Sequence, residues 1–356
     1  MMKPLGLLIA ISVLCLTDTV SACTIFRVTR GATTLVGNNE DDNTTATRIW
    51  FLAPEKGKYG RVFFGFTGGP PQGGMNDQGL FFDWVADNPS DDWKRDPTKL
   101  NYAGSVSEKI LEETATVEEA LEVYEKWNET AFLKSRTMLV DKTGASAIVG
   151  WKDGKVTVVR SHERFQAMGF GYGTASERLA KIGDVSFDSV RSILKSCVQS
   201  GQYPTQYSNI YDLRHGEVWV YFYHREKPPV RLNLQAELVK GHHYYDLPLL
   251  AEQMKQSLMT DFKTQKEVEV DPAVYTSYVG QYRIEPDYLF TITVEEGKLY
   301  FEAHDAYHTR LFAASNTQFF IRSLDSCLLF KLNQNGRVDE ASLHVRGKDV
   351  PARRVK

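Results

Sequence analysis

From Cys23 to Asp41, apolar and polar residues alternate on both sides of Arg30-Gly31-Ala32-Thr33, the pattern of a β-hairpin closed by a tight turn. The same period of two predicts strands at 48–52, 61–66 and 80–84. The glycine-rich run from Gly68 to Gly74 between the last two reads as a loop dense in turns. The period then changes. SVSEKILEETA from Ser105 and TVEEALEVYEKW from Thr116 repeat apolar residues at helical spacing. Each opens with a hydroxyl residue followed three positions on by Glu, a helix-start signature. Strands return at 137–140, 146–149 and 156–159, a helix at 187–198, long strands at 206–213 and 217–224, and a helical segment at 247–262. Strands, helices, strands, helix, strands is an α+β order that suits two stacked sheets covered by helices better than alternating βαβ units.

Periodicity lapses in the polar stretch 263–271. Beyond it every apolar run is short and strand-like: 279–284, 289–294, 299–303, 309–313, 318–321, 327–332 and 339–345, separated by turn signals such as Glu296-Gly297 and Asn335-Gly336. This regular spacing predicts a small all-β barrel or sandwich. The expected division is therefore a leader at 1–22, a main domain at 23–262, a linker at 263–271 and a small β domain at 272–356.

The leader expectation comes from composition. Residues 1–22 carry one Lys, an apolar run from Leu5 to Leu16 and small residues at Ser21 and Ala22 just before Cys23, as a secretory signal does. The run is shorter than the ~20 residues of a membrane-spanning helix. Removal before Cys23 would place the protein in the periplasm or outside the cell. Across the 356 residues, 42 Lys plus Arg nearly balance 45 Asp plus Glu, for a net charge of -3. That balance gives no basic stripe for nucleic acid and no polybasic run for a membrane surface. The exported chain would keep Cys23, Cys197 and Cys327, an odd number that calls for at least one free thiol or an intermolecular bridge. Cys197 and Cys327 sit in apolar patterns and read as buried small hydrophobes, with a bridge between them as the minority alternative.

Cys23 is where chemistry concentrates. A cysteine at a newly made N-terminus carries a thiol and an amine on one residue. With reference values near ~8.5 for the thiol and ~7.7 to 8.0 for the amine, the amine can act as the thiol's base near neutral pH. Such a nucleophile can attack an amide carbonyl and pass the acyl group to water. A rival reading uses the same letters: Val20-Ser21-Ala22-Cys23 also has the form of a lipobox, in which lipid on the sulfur and an acyl group on the amine would abolish that reactivity. Against lipidation, Thr24-Ile25-Phe26-Arg27-Val28 enters a strand at once, where a lipoprotein usually continues as a polar tether.

Cys23-Thr24 opening a hairpin that ends in Gly37-Asn38-Asn39-Glu40-Asp41 resembles the start of the choloylglycine hydrolase, or linear amide C-N hydrolase, family of N-terminal nucleophile enzymes, which includes penicillin V acylases and bile salt hydrolases. The resemblance implies a four-layer αββα sandwich over most of residues 23–250 and a cofactor-free, metal-free amidase acting on a small N-acyl substrate. It gives Asp41 the task of holding the nucleophile's amine. Asn38 stands where the family usually has Arg and is a substrate-side candidate. Gly73-Gly74-Met75-Asn76-Asp77-Gln78-Gly79-Leu80 is similar to a family turn whose Asn supplies an oxyanion donor, which points to Asn76. Ser176-Glu177-Arg178-Leu179 resembles an element whose Arg lies near the nucleophilic sulfur, which points to Arg178. Thr205 to Leu213 is similar to the family's late core strand. Phe82, Trp84, Phe170 and Tyr172 flank these motifs and are expected to receive an apolar acyl group.

Residues 272–356 resemble lipocalin-like β-barrels appended to some secreted serine hydrolases, through Tyr278-Val279-Gly280-Gln281-Tyr282. His304, His308, His242 and His243 read as turn histidines, because no third ligand at a usable spacing accompanies either pair. Two other readings stay open: a lipid-anchored, non-catalytic binding protein with the barrel as its ligand cup, and an acyltransferase using the same acyl-enzyme. Assembly into a homo-oligomer is also left open.

Overall fold

The hairpin forms as its alternation predicts: β1 (Thr24–Arg30) and β2 (Thr33–Asp41) pair antiparallel around a turn in which Gly31 takes φ +58°. The structure, a computed structural model, describes residues 23–87, 92–102, 104–222, 228–252, 265–284, 288–303, 307–322, 326–333, 336–345 and 348–355. The leader expected at 1–22, most of the helical stretch expected at 247–262, and His304 lie outside the described residues.

After the hairpin come β3 (Thr47–Leu52), β4 (Arg61–Phe66), β5 (Pro71–Asn76), β6 (Leu80–Ala86) and the short β7 (Leu100–Asn101). Helices α1 (Val106–Glu113) and α2 (Val117–Lys126) follow, then β8 (Trp127–Asn128), β9 (Ser135–Asp141), β10 (Ser146–Lys152), β11 (Lys155–Ser161) and β12 (Phe165–Gly169). The unit continues through α3 (Tyr172–Lys181), α4 (Phe187–Ser196), β13 (Thr205–Asp212), β14 (Glu217–Phe222), β15 (Val230–Asn233), α5 (Leu234–Leu238), β16 (His243–Asp246) and α6 (Leu247–Ala251). The helix starts are as expected: the Ser105 hydroxyl accepts from the Ser107 N–H and the Thr116 hydroxyl from the Glu119 N–H.

Two antiparallel sheets result. One has the order β12-β1-β2-β13-β14-β15, the other β11-β10-β9-β6-β5-β4-β3-β16. Strand parity sorts their side chains into three apolar clusters. Ile25, Val36, Tyr207 and Tyr211 from the first sheet meet Phe64, Met75, Phe81 and Val85 from the second. Phe26, Val28, Leu35 and Ile210 face α3 and α4 through Leu179, Val190 and Leu194. Phe63, Leu80, Phe82 and Leu139 face α1 and α2 through Ile110, Leu111, Ala120 and Tyr124.

The glycine-rich run departs from expectation, because Pro71–Asn76 is an interior strand and not a loop. Close approach explains it. A Cβ on Gly73 would lie 2.2 Å from Asp83 Oδ2, and one on Gly74 2.1 Å from the Val62 carbonyl oxygen. Glycine there makes room for a side chain on the neighbouring strand.

The C-terminal unit is one nine-stranded antiparallel sheet of β17 (Gly280–Ile284), β18 (Tyr288–Glu295), β19 (Lys298–Ala303), β20 (Tyr307–Arg310), β21 (Phe312–Ala313), β22 (Gln318–Ile321), β23 (Ser326–Leu332), β24 (Val338–Val345) and β25 (Lys348–Arg354). They are ordered β20-β19-β18-β17-β25-β24-β23-β22-β21, so the sheet curls until its first and last members follow one another in sequence. The interior is filled by aromatic rings, with Tyr278 stacked on Phe330 at 4.3 Å and Tyr282 on Phe290 at 5.3 Å. The stretch expected as a linker also packs here: the Val268 N–H donates to the Ala313 carbonyl and Glu267 pairs with Arg310.

Candidate active site

Cys23 enters the first sheet at its edge-proximal end, with its side chain on the face turned toward the second sheet. The sulfur's residue is 8% exposed, beside Ile25 on one strand and Val85 on another. The same parity turns Asn38 and Glu40 of β2, and Tyr207 and Asn209 of β13, onto this face; Asn38 pairs with Asn209 and Glu40 with Tyr207. From the opposite sheet, β6 contributes Asp83.

Hydrogen bonds tie these groups together. The Cys23 thiol donates to Glu40 Oε1 at 3.2 Å, and the Asp41 backbone N–H donates to the Cys23 sulfur at 3.4 Å. The Asn38 amide uses both protons, one to Glu40 Oε2 at 3.1 Å and one to Asp83 Oδ2 at 2.8 Å. Asp41 Oδ1 accepts from the Thr205 hydroxyl at 2.6 Å, while Asp41 Oδ2 is buried with no partner among the described residues. Asn38 Oδ1, Asp83 Oδ1, Asn209 Oδ1 and the Tyr207 hydroxyl share that condition. Five unpartnered polar atoms around one thiol are a concentration that ordinary cores avoid.

The electrostatics follow from burial and from like charge. Burial lifts the Cys23 thiol well above its usual value, and Glu40, Asp41 and Asp83 push it further up against the opposing Asp41 N–H. Burial raises Glu40 to about 8, despite the lowering hydrogen bonds from Asn38 and Cys23. Asp83 is driven well above the carboxylate range by burial and by Glu40. Asp41 rises to about 7, again through burial. At neutral pH the site therefore holds a protonated thiol among carboxyls poised to exchange protons.

One wall of the site is made by the corner after β12. The Phe170 N–H donates to the Cys23 carbonyl at 3.1 Å, and the Gly171 N–H to the Thr24 hydroxyl at 2.9 Å. Gly169 has φ +95°, and a Cβ there would fall 1.8 Å from the Cys23 oxygen, so only glycine fits. Phe170 and Tyr172 lie at this corner with 59% and 56% of their surface exposed.

Of the residues singled out in the sequence, the structure gathers Cys23, Asn38 and Asp41; Phe170 meets Cys23 through its backbone N–H with its side chain exposed, and Tyr172 is exposed at the start of α3. The structure does not bring four others to the sulfur. Asn76 is spent in a turn at the β5 end: its amide donates to the Leu111 and Thr114 carbonyls, and its oxygen accepts from the Gln78 and Leu80 N–H groups. Arg178 projects from the exposed side of α3, where its charge acts on Cys197. Phe82 and Trp84 have the wrong parity. They face α1 and α2, where the Trp84 indole donates to the Ser107 hydroxyl, while Asp83 between them faces Cys23. Sequence reasoning missed Glu40 and Asp83. The available signal was an acidic residue at a core-facing position of an otherwise apolar strand, Leu80-Phe81-Phe82-Asp83-Trp84-Val85.

Cys197 and Cys327 are buried, as expected of small apolar side chains, and neither forms a disulfide among the described residues. No group of His, Cys, Asp and Glu suited to a metal ion occurs among the described residues. His242 and His243 pair with Glu55 and Glu237, and His308 with Glu295.

Comparison with solved structures adds the fold relationship. Penicillin V acylase from Agrobacterium tumefaciens superposes with a TM-score of 0.56 at 16% identity, over 70% of this chain and 100% of that one. A variant of conjugated bile acid hydrolase from Clostridium perfringens gives 0.51 at 15% identity, with the same coverage. At this low identity the likeness to these two hydrolases is one of fold. Among curated proteins, penicillin-binding protein 4* from Bacillus subtilis (strain 168) is 33% identical over 70 residues, which is 20% of this chain and 16% of that protein. A family profile described as a domain of unknown function, DUF3471, matches residues 264–353, the curled C-terminal sheet together with the segment packed on it.

Proposed function

We propose that the chain is an exported amide hydrolase in which Cys23, exposed as the N-terminal residue by signal cleavage, attacks the carbonyl of a small N-acyl amide and carries the acyl group as a thioester. One observation carries this reading. In a fold shared with an acylase and a bile acid hydrolase, the Cys23 sulfur sits between a carboxyl that accepts its proton and an N–H of Asp41, whose second oxygen is buried without a partner. An α-ammonium on Cys23 would supply the donor that this oxygen lacks, so Asp41 is the group that fixes the mature terminus.

The three apolar clusters support the helix-sheet-sheet-helix layering that such a site needs. Exposed Phe170, at the corner whose backbone N–H holds the Cys23 carbonyl, favours an apolar acyl group. The chemistry requires no cofactor. Burial of the sulfur against Glu40 argues against a lipid-modified cysteine, which would need its side chain outside the sheet. Mass spectrometry of the exported protein tests the reading. An unmodified chain beginning at Cys23 supports it, and a lipid increment or an N-terminus elsewhere refutes it. Whether water or an amine receives the acyl group is read by supplying hydroxylamine and comparing hydroxamate with free acid.

A further inference from the structure

On the outer side of the second sheet, Trp93, Trp127, Trp151 and Phe132 line a cavity of about 120 Å³ that contains none of the groups around Cys23. Phe132 is buried and the three tryptophans are half-buried. They come from four places: the loop after β6, β8, the end of β10 and the short 3-10 turn Thr130–Leu133. The rings of Trp93 and Trp151 lie 6.3 Å apart at 58°, so they stand as two angled walls and do not close on each other as a stack. Trp151 Nε1 is buried without a partner among the described residues, although a buried indole N–H normally finds one.

The walls are held by contacts within the chain. β7 and β8 pair in parallel, Leu100 with Trp127 and Asn101 with Asn128. The Asp96 N–H donates to Asn128 Oδ1 at 2.9 Å, and Asn128 Nδ2 donates back to the Asp96 carbonyl at 3.0 Å. The Gly154 N–H donates to Asp92 Oδ2 at 2.5 Å, which ties the turn after β10 to the loop that carries Trp93. A preformed, aromatic-lined concavity with a few fixed polar groups is the usual form of a small-molecule site.

Charge narrows the ligand. Two carboxyls, Asp96 and Glu129, and two amines, Lys99 and Lys155, line the cavity, so neither sign predominates. Three of the four are already engaged. Glu129 accepts from the Ala131 and Ser107 N–H groups, Asp96 Oδ1 accepts from the Thr98 N–H and hydroxyl, and Lys99 Nζ donates to the Tyr124 carbonyl. Lys155 is exposed at the rim, where an ion pair with an anionic ligand would be worth little. A cationic ligand fares no better, because the Trp127 ring already carries Lys109 Nζ at 4.8 Å. What fits is an uncharged ring with apolar C–H faces for the indoles and hydroxyls around its edge. At roughly 10 to 15 Å³ for each water-sized position, the cavity has about eight to twelve such positions, the extent of a single hexose.

We propose that this cleft binds one pyranose unit of a neutral saccharide. The site goes beyond the amide chemistry at Cys23 and does not depend on it.

Intrinsic fluorescence of the mature protein, titrated separately with N,N′-diacetylchitobiose, cellobiose and maltose, tests the site. A saturable change with at least one of them is expected. It should weaken about tenfold or more in Trp93→Ala and in Trp151→Ala. It should persist in Trp219→Phe, whose ring is stacked on Phe187 in a different cluster. No saturable change with any of the three sugars, or binding that both cleft variants retain, overturns the proposal. Tetramethylammonium is the counter-probe: saturation by it that depends on Trp93 and Trp151 marks a cation cage and overturns the saccharide assignment.

Should the variants not fold, the wild type answers alone. A bound disaccharide should shield Trp93, Trp127 and Trp151 from N-bromosuccinimide, read by peptide mass spectrometry, while Trp219 oxidises as before. Shielding elsewhere, or none, refutes the site. Cosedimentation with chitin, cellulose or starch then separates the sources. Pelleting with the polymer assigns a polysaccharide surface, and binding of the disaccharide without pelleting assigns free oligosaccharides; either result upholds the site.

Discussion

Replacing Glu40 by Gln should make the protein more stable above neutral pH, and the size of the effect follows from burial. In the folded chain Glu40 ionises at about 8, against 4.5 for an unperturbed Glu. Between those values the unfolded chain has released the proton and the folded chain still holds it. Stability therefore falls as pH rises, by up to about 1.4 kcal/mol per pH unit, and the loss levels off above about 8. Summed over that window the native state gives up on the order of a few kcal/mol, a substantial part of a typical domain's stability. Gln keeps the shape, remains neutral throughout and lacks this slope. Its carbonyl oxygen can still accept from Asn38 Nδ2. The variant should match the wild type near pH 4.5 and exceed it by a few kcal/mol at pH 8 to 9. All six tryptophans, Trp50, Trp84, Trp93, Trp127, Trp151 and Trp219, lie in the first unit, so fluorescence-monitored urea unfolding at a series of pH values reports on that unit alone. Parallel midpoints for the two proteins across pH, or a less stable variant at pH 8, would refute the reasoning.

Four further outcomes are expected. Cys23→Ala should abolish amide cleavage while leaving the circular dichroism spectrum unchanged, and residual turnover by the folded variant would end the nucleophile assignment. Asn76→Ala removes an amide that makes four hydrogen bonds in a buried turn. It should cost about 2 to 4 kcal/mol in urea unfolding with kcat per folded molecule nearly unchanged, whereas an oxyanion donor would show a loss of about 10²- to 10³-fold in kcat. Gly169→Ala puts a methyl group 1.8 Å from the Cys23 carbonyl oxygen at φ +95°, so both activity and thermal midpoint should drop, and a wild-type midpoint would contradict the described corner. Arg178→Ala, on the exposed side of α3, should leave kcat/KM within about twofold; a loss of tenfold or more would mean that its charge reaches the reaction.

The fold was largely legible because its clearest elements carry a strong period. Alternation around Gly31 located the first hairpin to within a residue, and the hydroxyl-x-x-Glu starts located α1 and α2. What failed was governed by contacts distant in sequence. The glycines of β5 look like loop formers until Asp83 and the Val62 carbonyl are seen to occupy the space that side chains would need. In the site, Cys23 and Asp41 were recoverable because they sit at the ends of one hairpin. Phe82 and Trp84 were misplaced because the sequence marked β6 as apolar on both faces and did not reveal which parity faced the thiol. Glu40 escaped notice because it lies between two motif positions, and its importance arises only when β1 and β2 pair and bring its carboxyl to the sulfur.

The measurement that bears most directly on the central claim is acyl trapping at Cys23. The mature protein is mixed with excess hexanoyl 4-nitroanilide, quenched in acid within seconds and digested for mass spectrometry. The account predicts a hexanoyl increment confined to the peptide that begins at Cys23, labile to hydroxylamine as a thioester is, and absent from Cys23→Ala. Nitroaniline release with no increment on that peptide, or an increment at Cys197 or Cys327, would contradict it.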